Sequence, residues 1–143
     1  KVPYIIMHMK GNPRNMQEDP HYDNVVDEVF NFLQQRVEEC VKAGIDENRI
    51  IVDPGFGFGK SLQHNLLLLK KLKRFKELEV ALLVGVSRKS MIGAILDKPI
   101  NERLIGSTSL ATLAAWMGAD ILRVHDVAAT SDALKAVNAV RSV

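Results

Sequence analysis

The chain lacks several features that would narrow its chemistry, and each absence removes a class of protein. It has one cysteine, Cys40, in 143 residues, which excludes an internal disulfide and any metal site built on clustered thiolates. Its charge is nearly balanced: 19 Lys and Arg against 17 Asp and Glu leave +2, too little to argue for nucleic acid or an anionic membrane surface. No apolar run reaches the ~20 residues of a membrane-spanning helix. The opening Lys1-Val2-Pro3-Tyr4-Ile5-Ile6-Met7 is no signal peptide and position 1 is not methionine, so the chain reads as cytoplasmic and as starting within a longer protein. What is present is ordinary globular composition, 47% apolar and 25% charged, enough for one domain over residues 1–143.

Four short apolar runs recur, Tyr4–Met9, Arg49–Val52, Val80–Val86 and Asp120–Val124, each followed by helical periodicity. After the first, Val26, Val29, Phe30, Leu33, Val37, Cys40 and Val41 form a stripe, with Asp23 or Asn24 as N-cap and Gly44 as terminator. Leu66, Leu69, Leu72 and Phe75 form the next stripe, and Lys70-Lys71-Leu72-Lys73-Arg74 reads as its solvated face and C-terminal end. A short helix around Met91–Leu96 and a longer one from Glu102 to Met117 follow the third run. Thr130 or Ser131 is expected to cap the last helix, which runs to about Val140. Strands alternating with helices imply a parallel sheet or barrel buried on both faces. Met7, Met9, Trp116 and Cys40 read as core.

One stretch, Ile50-Ile51-Val52-Asp53-Pro54-Gly55-Phe56-Gly57-Phe58-Gly59-Lys60-Ser61, imitates a phosphate loop without being one. A P-loop needs four residues between its first glycine and its Gly-Lys pair, whereas Gly55 leaves three and Pro54 stands where glycine should. Asp53 would repel a phosphate. An acceptor-only carboxylate suits the donor-rich edge of a guanine or pterin, with loop-fixing as its structural alternative. The glycines then let Phe56 or Phe58 approach a flat ring. Lys60 reads as a solvated lysine at a helix start.

Polar chemistry gathers at the carboxyl ends of these strands, where parallel α/β proteins bind ligands. Asp53 closes the second, Ser87-Arg88-Lys89 the third and Arg123-Val124-His125-Asp126 the fourth. Arg88 and Lys89 suggest a second cationic site; Arg123 with His125 suits an anion or a stacked ring. His8 points to the helix layer as a hydrogen-bonded structural residue, while His21 and His64 lie at helix starts and read as exposed. These scattered histidines do not suggest a zinc site. The loop opened by Gly11-Asn12-Pro13 sits at the same rim.

Four motifs in register, Met7–Gln17, Asp53–Ser61, Leu82–Gly93 and Arg123–Val127, resemble the carboxyl half of the dihydropteroate synthase family of pterin-binding enzymes. The likeness runs from Tyr4 to about Val140 and departs at Asn15, where the family commonly has Thr. It implies a (β/α)8 TIM barrel of which this chain supplies the last four β/α units. It also implies a transferase of folate biosynthesis that joins 6-hydroxymethyl-7,8-dihydropterin pyrophosphate to para-aminobenzoate, releasing pyrophosphate. Sulfonamides are its implied inhibitors, Mg2+ its cofactor with ligands outside this chain, and a homodimer through its last helices its implied assembly. By the resemblance, Asp53, Lys89 and Arg123 are catalytic. Met7, Gly57 and Phe58 line the pterin pocket, Ser87 and Lys89 face the aminobenzoate, and Arg123 and His125 hold pyrophosphate.

A full barrel needs about 200–250 residues. The chain is therefore expected to be inactive alone and to require the first half of the same barrel as partner. Rival readings are a methyltetrahydrofolate-type methyltransferase and a non-catalytic half-barrel that pairs with itself.

Overall fold

The computed structural model describes residues 2–12 and 20–143; Asn15 and most of the loop after Gly11 lie outside the described residues. Among these, four strands, β1 (Tyr4–Met7), β2 (Ile50–Asp53), β3 (Ala81–Val84) and β4 (Ile121–Leu122), pair in parallel in the order β1-β2-β3-β4. The register sets Met7 opposite Asp53, Val52 opposite Leu82, and Val84 opposite Leu122. Periodicity alone left a barrel or an open sheet, and the family resemblance implied the barrel. The order runs unbroken through the four described strands, without the reversal that marks the switch point of a doubly wound sheet. It is the wall of a (β/α)8 barrel.

Among the described residues five α-helices connect or follow these strands: α1 (Val25–Lys42), α2 (Leu62–Lys70), α3 (Ser90–Leu96), α4 (Leu104–Trp116) and α5 (Val127–Arg141). Asn24 caps α1, accepting from the backbone N–H groups of Val26 and Asp27 at 3.1 and 3.2 Å. Gly44, at φ 86°, lets the chain leave the helix in a left-handed turn. The expected stripe of α1 is buried at Val29, Phe30, Leu33 and Val37, though Val41 stays exposed in the last turn. These side chains meet Ile6, Val52, Leu82 and Val84, which alternate onto the helix-covered face of the sheet, together with Leu68, Leu69, Leu72 and Phe75.

Several expectations need correction. The opposite face of the sheet is buried only in part: Leu83 is 4% exposed, but Ile5 is 47% and Ile121 37% exposed, because no described element covers them. The stripe from Leu66 to Phe75 is not one helix; α2 stops at Lys70 and a 3₁₀ segment, Leu72–Leu78, tucks Leu72 and Phe75 into the core. Of its basic run, Arg74 is not simply solvated but lies 4.1 Å above the Phe30 ring. Thr130 is a buried residue one turn inside α5, which begins after Asp126. Trp116 and Met9 are exposed rather than core: α4 buries its small residues Ser107, Ala111, Ala114 and Ala115, and Trp116 sits under Arg141 instead. Cys40 does pack against the core. No helix among the described residues is long and apolar enough to cross a membrane.

Candidate active site

The carboxyl ends of β2, β3 and β4 lie side by side, so residues 70 positions apart meet. Asp53 ends β2 with 1% exposure. One carboxylate oxygen accepts the Gly55 N–H at 2.8 Å, and the other accepts the Arg123 guanidinium at 3.1 Å. Burial raises the Asp53 pKa above its ordinary value, against the Gly55 hydrogen bond and the Arg123, Lys89 and Lys60 charges that favour the anion. Arg123 reaches Asp53 by crossing Gly85, where a Cβ would stand 3.1 Å from its guanidinium. Glycine keeps that path open.

Lys89 starts the α3 turn. Its ammonium donates to the Phe56 carbonyl and lies 4.5 Å from the centre of the Phe58 ring. Burial lowers its pKa to about 8; Asp53 opposes this and Arg123 adds to it. His125 meets the Ser87 hydroxyl oxygen twice: its backbone N–H donates to it at 3.3 Å, and its Nδ1 lies 3.0 Å from it. Gly85, Ser87, Lys89, Arg123, Val124 and His125 line a cleft of about 200 Å³.

Met7 is half-buried at the end of β1, in register with Asp53, and Phe58 is half-buried at the mouth. Gly57, at φ 81°, passes close to the Lys89 stem. The structure therefore brings Asp53, Lys89, Arg123, Ser87 and His125 to one rim, with Met7, Gly57 and Phe58 beside them. It separates two other candidates. Phe56 is fully buried in the core, so only Phe58 is available to a flat ligand. Arg88 turns away in a left-handed conformation, φ 58°, and makes a two-point ion pair with Asp126 at 2.6 and 3.2 Å. Arg103 donates to the Arg88 carbonyl and Ser107 accepts its N–H, so α4 holds this turn from behind. Of Arg88 and Lys89, it is Lys89 that faces the rim.

Lys60 corrects the reading furthest. It is 3% exposed, and its ammonium contacts His8 Nδ1 at 2.9 Å, the Gly55 carbonyl at 2.9 Å and the Phe58 carbonyl at 3.0 Å. His8 is buried as expected, edge-on to Phe32 at 5.0 Å. His64 is half-buried rather than exposed: its Nδ1 accepts the Ser61 N–H while Ser61 caps α2, and its ring meets Tyr22 edge-on. Sequence reasoning also passed over Asn65 and Tyr22. Asn65 accepts the Gly57 N–H at 2.8 Å and donates to the Lys60 and Ser61 carbonyls; Tyr22 donates to the Gly59 carbonyl at 2.8 Å. An asparagine four residues beyond the Ser61 cap was a local signal. Nothing local pointed to Tyr22.

The loop has no room for a side chain at Gly55. A Cβ there would fall 1.8 Å from the His8 carbonyl oxygen, at φ 71°. Gly44 has a similar φ, 86°, with nothing within 4 Å. Gly44→Ala is expected to cost about 1–2 kcal/mol for the left-handed backbone alone. Gly55→Ala should cost clearly more, since the β1 end must move. Thermal unfolding of the pair tests this, and equal losses would show that the contact with His8 is unimportant.

The fold and this rim are those of a parallel barrel wall with one carboxylate and several cations at its mouth. The chain belongs to the pterin-binding enzyme family, whose profile, "Pterin binding enzyme", matches residues 1–125. It is 58% identical over 134 residues to the dihydropteroate synthase of Haemophilus influenzae, covering 94% of this chain and 49% of that protein. With the Escherichia coli K12 dihydropteroate synthase the identity is 48% over 141 residues, 99% of this chain and 50% of the relative. A Yersinia pestis dihydropteroate synthase solved with a sulfonamide drug superposes with TM-score 0.95 at 49% identity, over 98% of this chain and 51% of that one. The Xanthomonas albilineans enzyme in complex with 7,8-dihydropteroate gives TM-score 0.92 at 48% identity, over 99% and 52%. The chain thus spans about half the length of the relatives it matches.

Proposed function

We propose that this chain is the carboxyl-terminal half of a dihydropteroate synthase, supplying the last four β/α units of its barrel. The observation that carries this reading is a buried carboxylate, Asp53, facing Arg123 and flanked by Lys89 at the mouth of a parallel barrel wall. Asp53 accepts the amide and amino hydrogens of 6-hydroxymethyl-7,8-dihydropterin pyrophosphate, a donor edge that replaces Arg123 there. Arg123, released, stacks on the ring. Met7, Gly57 and Phe58 surround the pterin, and Lys89 lies between it and para-aminobenzoate. Ser87 holds His125 in place, and His125 with Arg123 takes the pyrophosphate.

The reaction follows from this placement. The methylene C–O bond of the pterin breaks and its electron pair leaves with pyrophosphate. The electron-rich ring spreads the positive charge, which the Asp53 anion stabilises. The aminobenzoate nitrogen, neutral near pH 7, gives its lone pair to the methylene and then loses a proton to solvent or to the departing pyrophosphate. Positioning and electrostatics supply the catalysis. Among the described residues no group of three or more His, Cys, Asp and Glu side chains is placed to hold a metal ion; Mg2+ would be held by residues of the other half of the barrel, where it would stabilise the leaving pyrophosphate.

The half-barrel also explains the partly bare sheet face and the two edge strands. Ile5, Ile121 and the free edges of β1 and β4 would be closed by the other four units, and a homodimer would form through the last helices. The test is pyrophosphate release that depends on aminobenzoate. The chain alone should be inactive, and joined to the first half of the barrel it should be active. Turnover by the isolated monomeric chain would refute the half-barrel reading, and a complete barrel that releases no pyrophosphate would refute the synthase reading.

A further inference from the structure

We propose that Lys60 is a positioning residue for the pterin subsite: its ammonium, buried beneath the Gly55–Phe58 turn, clamps that turn so that Asp53 and Phe58 meet the ring. The inference rests on the synthase reading and adds to it a residue that does not line the substrate cleft. Lys60 instead borders a separate hollow of about 100 Å³ with Leu62, Asn65, Ser90, Met91 and Ala94. It acts through the loop.

The geometry is that of a three-point clamp. Burial lowers the Lys60 pKa to about 7 against the Asp53 charge, and below that pH it is an ammonium whose three protons each have one acceptor: His8 Nδ1, the Gly55 carbonyl and the Phe58 carbonyl, all within 3.0 Å. To accept at Nδ1, His8 carries its proton on Nε2. Burial, with the Lys60 and Lys10 charges, lowers its pKa to about 3, so it stays neutral. Lys60 thereby ties the end of β1 to both ends of the turn that follows β2. The turn closes on itself through the Phe58 N–H and the Gly55 carbonyl at 3.1 Å. Asp53 grips the same Gly55 through its N–H. One residue therefore has its N–H held by the ligand-facing carboxylate and its carbonyl held by Lys60.

A solvated lysine at a helix start would have no such role. A purely structural lysine would stabilise the fold and leave the affinity of the folded protein unchanged. A positioning lysine changes the pterin side of the site selectively. Charge alone is also separable from the clamp. Arginine keeps the charge but presents a wide planar fork, which does not reproduce three converging bonds.

The experiment compares the complete barrel with its Lys60→Met and Lys60→Arg variants. It measures the dissociation constant for 6-hydroxymethylpterin by calorimetry and the KM of each substrate. Both variants are expected to bind the pterin at least tenfold more weakly and to raise its KM to match, with the aminobenzoate KM changed less than threefold. A folded variant with unchanged pterin affinity overturns the inference, and retention by Lys60→Arg alone reduces it to a charge effect and overturns the clamp. An unmodified barrel that binds no pterin removes the synthase reading and this inference together, which separates the two failures. Should the variants not fold, acetic anhydride labelling of the unmodified barrel decides. Lys60 should label at least tenfold more slowly than exposed Lys70, and equal rates overturn the clamp.

Discussion

Asp53→Asn in the complete barrel is expected to reduce turnover roughly 100- to 1,000-fold while leaving the protein folded. The substitution keeps the size of the side chain and an oxygen for the Gly55 N–H, but removes the negative charge. Removing one preorganised electrostatic contact to developing charge costs about 2.7–4 kcal/mol of transition-state stabilisation, and each ~1.4 kcal/mol is tenfold in rate. The cost falls on the charged pterin transition state, not on the resting fold. Asp53 has a raised pKa, so its ionised form is less comfortable in the native state than in the unfolded chain. For an acid raised in this way, the native state binds more protons between the ordinary and folded pKa values, and stability falls as pH rises through that window. The neutral asparagine escapes that penalty. Melting temperature at pH 7 should be unchanged or higher as activity collapses, and a large fall in melting temperature would attribute the lost turnover to unfolding instead.

Activity should also depend on Asp53 being ionised. Its acid limb should lie above the ordinary carboxylate value of 3.8, because burial outweighs the surrounding cations. Asp53→Asn should abolish that limb. The same feature that weakens the native state, a carboxylate held from water, strengthens its bond to a donor-rich edge.

The elements and the rim were legible in the sequence because both are written in local periodicity. The α1 stripe, the Gly44 exit and the strand ends at Asp53 and Arg123 need only neighbours within a turn or two to be read. Legibility failed where a contact crosses between elements. Lys60 stands in Gly59-Lys60-Ser61 at a helix start, a setting that usually faces water; its burial depends on His8, 52 residues away. Arg88 looked like half of a cationic pair until Asp126, 38 residues on, claimed it. Thr130 resembled a cap because Asp126 gave no sign of starting α5, and its carboxylate is spent on Arg88 rather than on the helix. Trp116 is large and apolar, yet α4 packs through its small residues, with Gly106 so close to α3 that a Cβ would stand 2.5 Å from Ile92. The expectation of a sheet buried on both faces carries the most information. It holds for the helix side, where Val52 and Leu82 are fully buried, and fails in part on the other, where Ile5 lies open.

Lys89→Met should be nearly as damaging as the loss of Asp53, about 100-fold or more in turnover, and its pH signature distinguishes catalysis from folding. The ammonium sits over Phe58 and on the Phe56 carbonyl, from where it would reach both proposed substrates. Burial lowers its pKa from 10.5 to about 8, so its charge is present below about pH 8 and lost above it. Activity should therefore fall along a basic limb near pH 8. Stability moves the other way. Between about 8 and 10.5 the unfolded chain still binds the proton that the native lysine has released, so this group's contribution to stability rises with pH. A rate that falls while the group's stabilising contribution grows cannot be explained by unfolding. Lys89→Arg, charged throughout, should lose this limb even though its rate is low. A basic limb that persists unchanged in Lys89→Arg would assign the titration to another group and remove Lys89 from the chemistry.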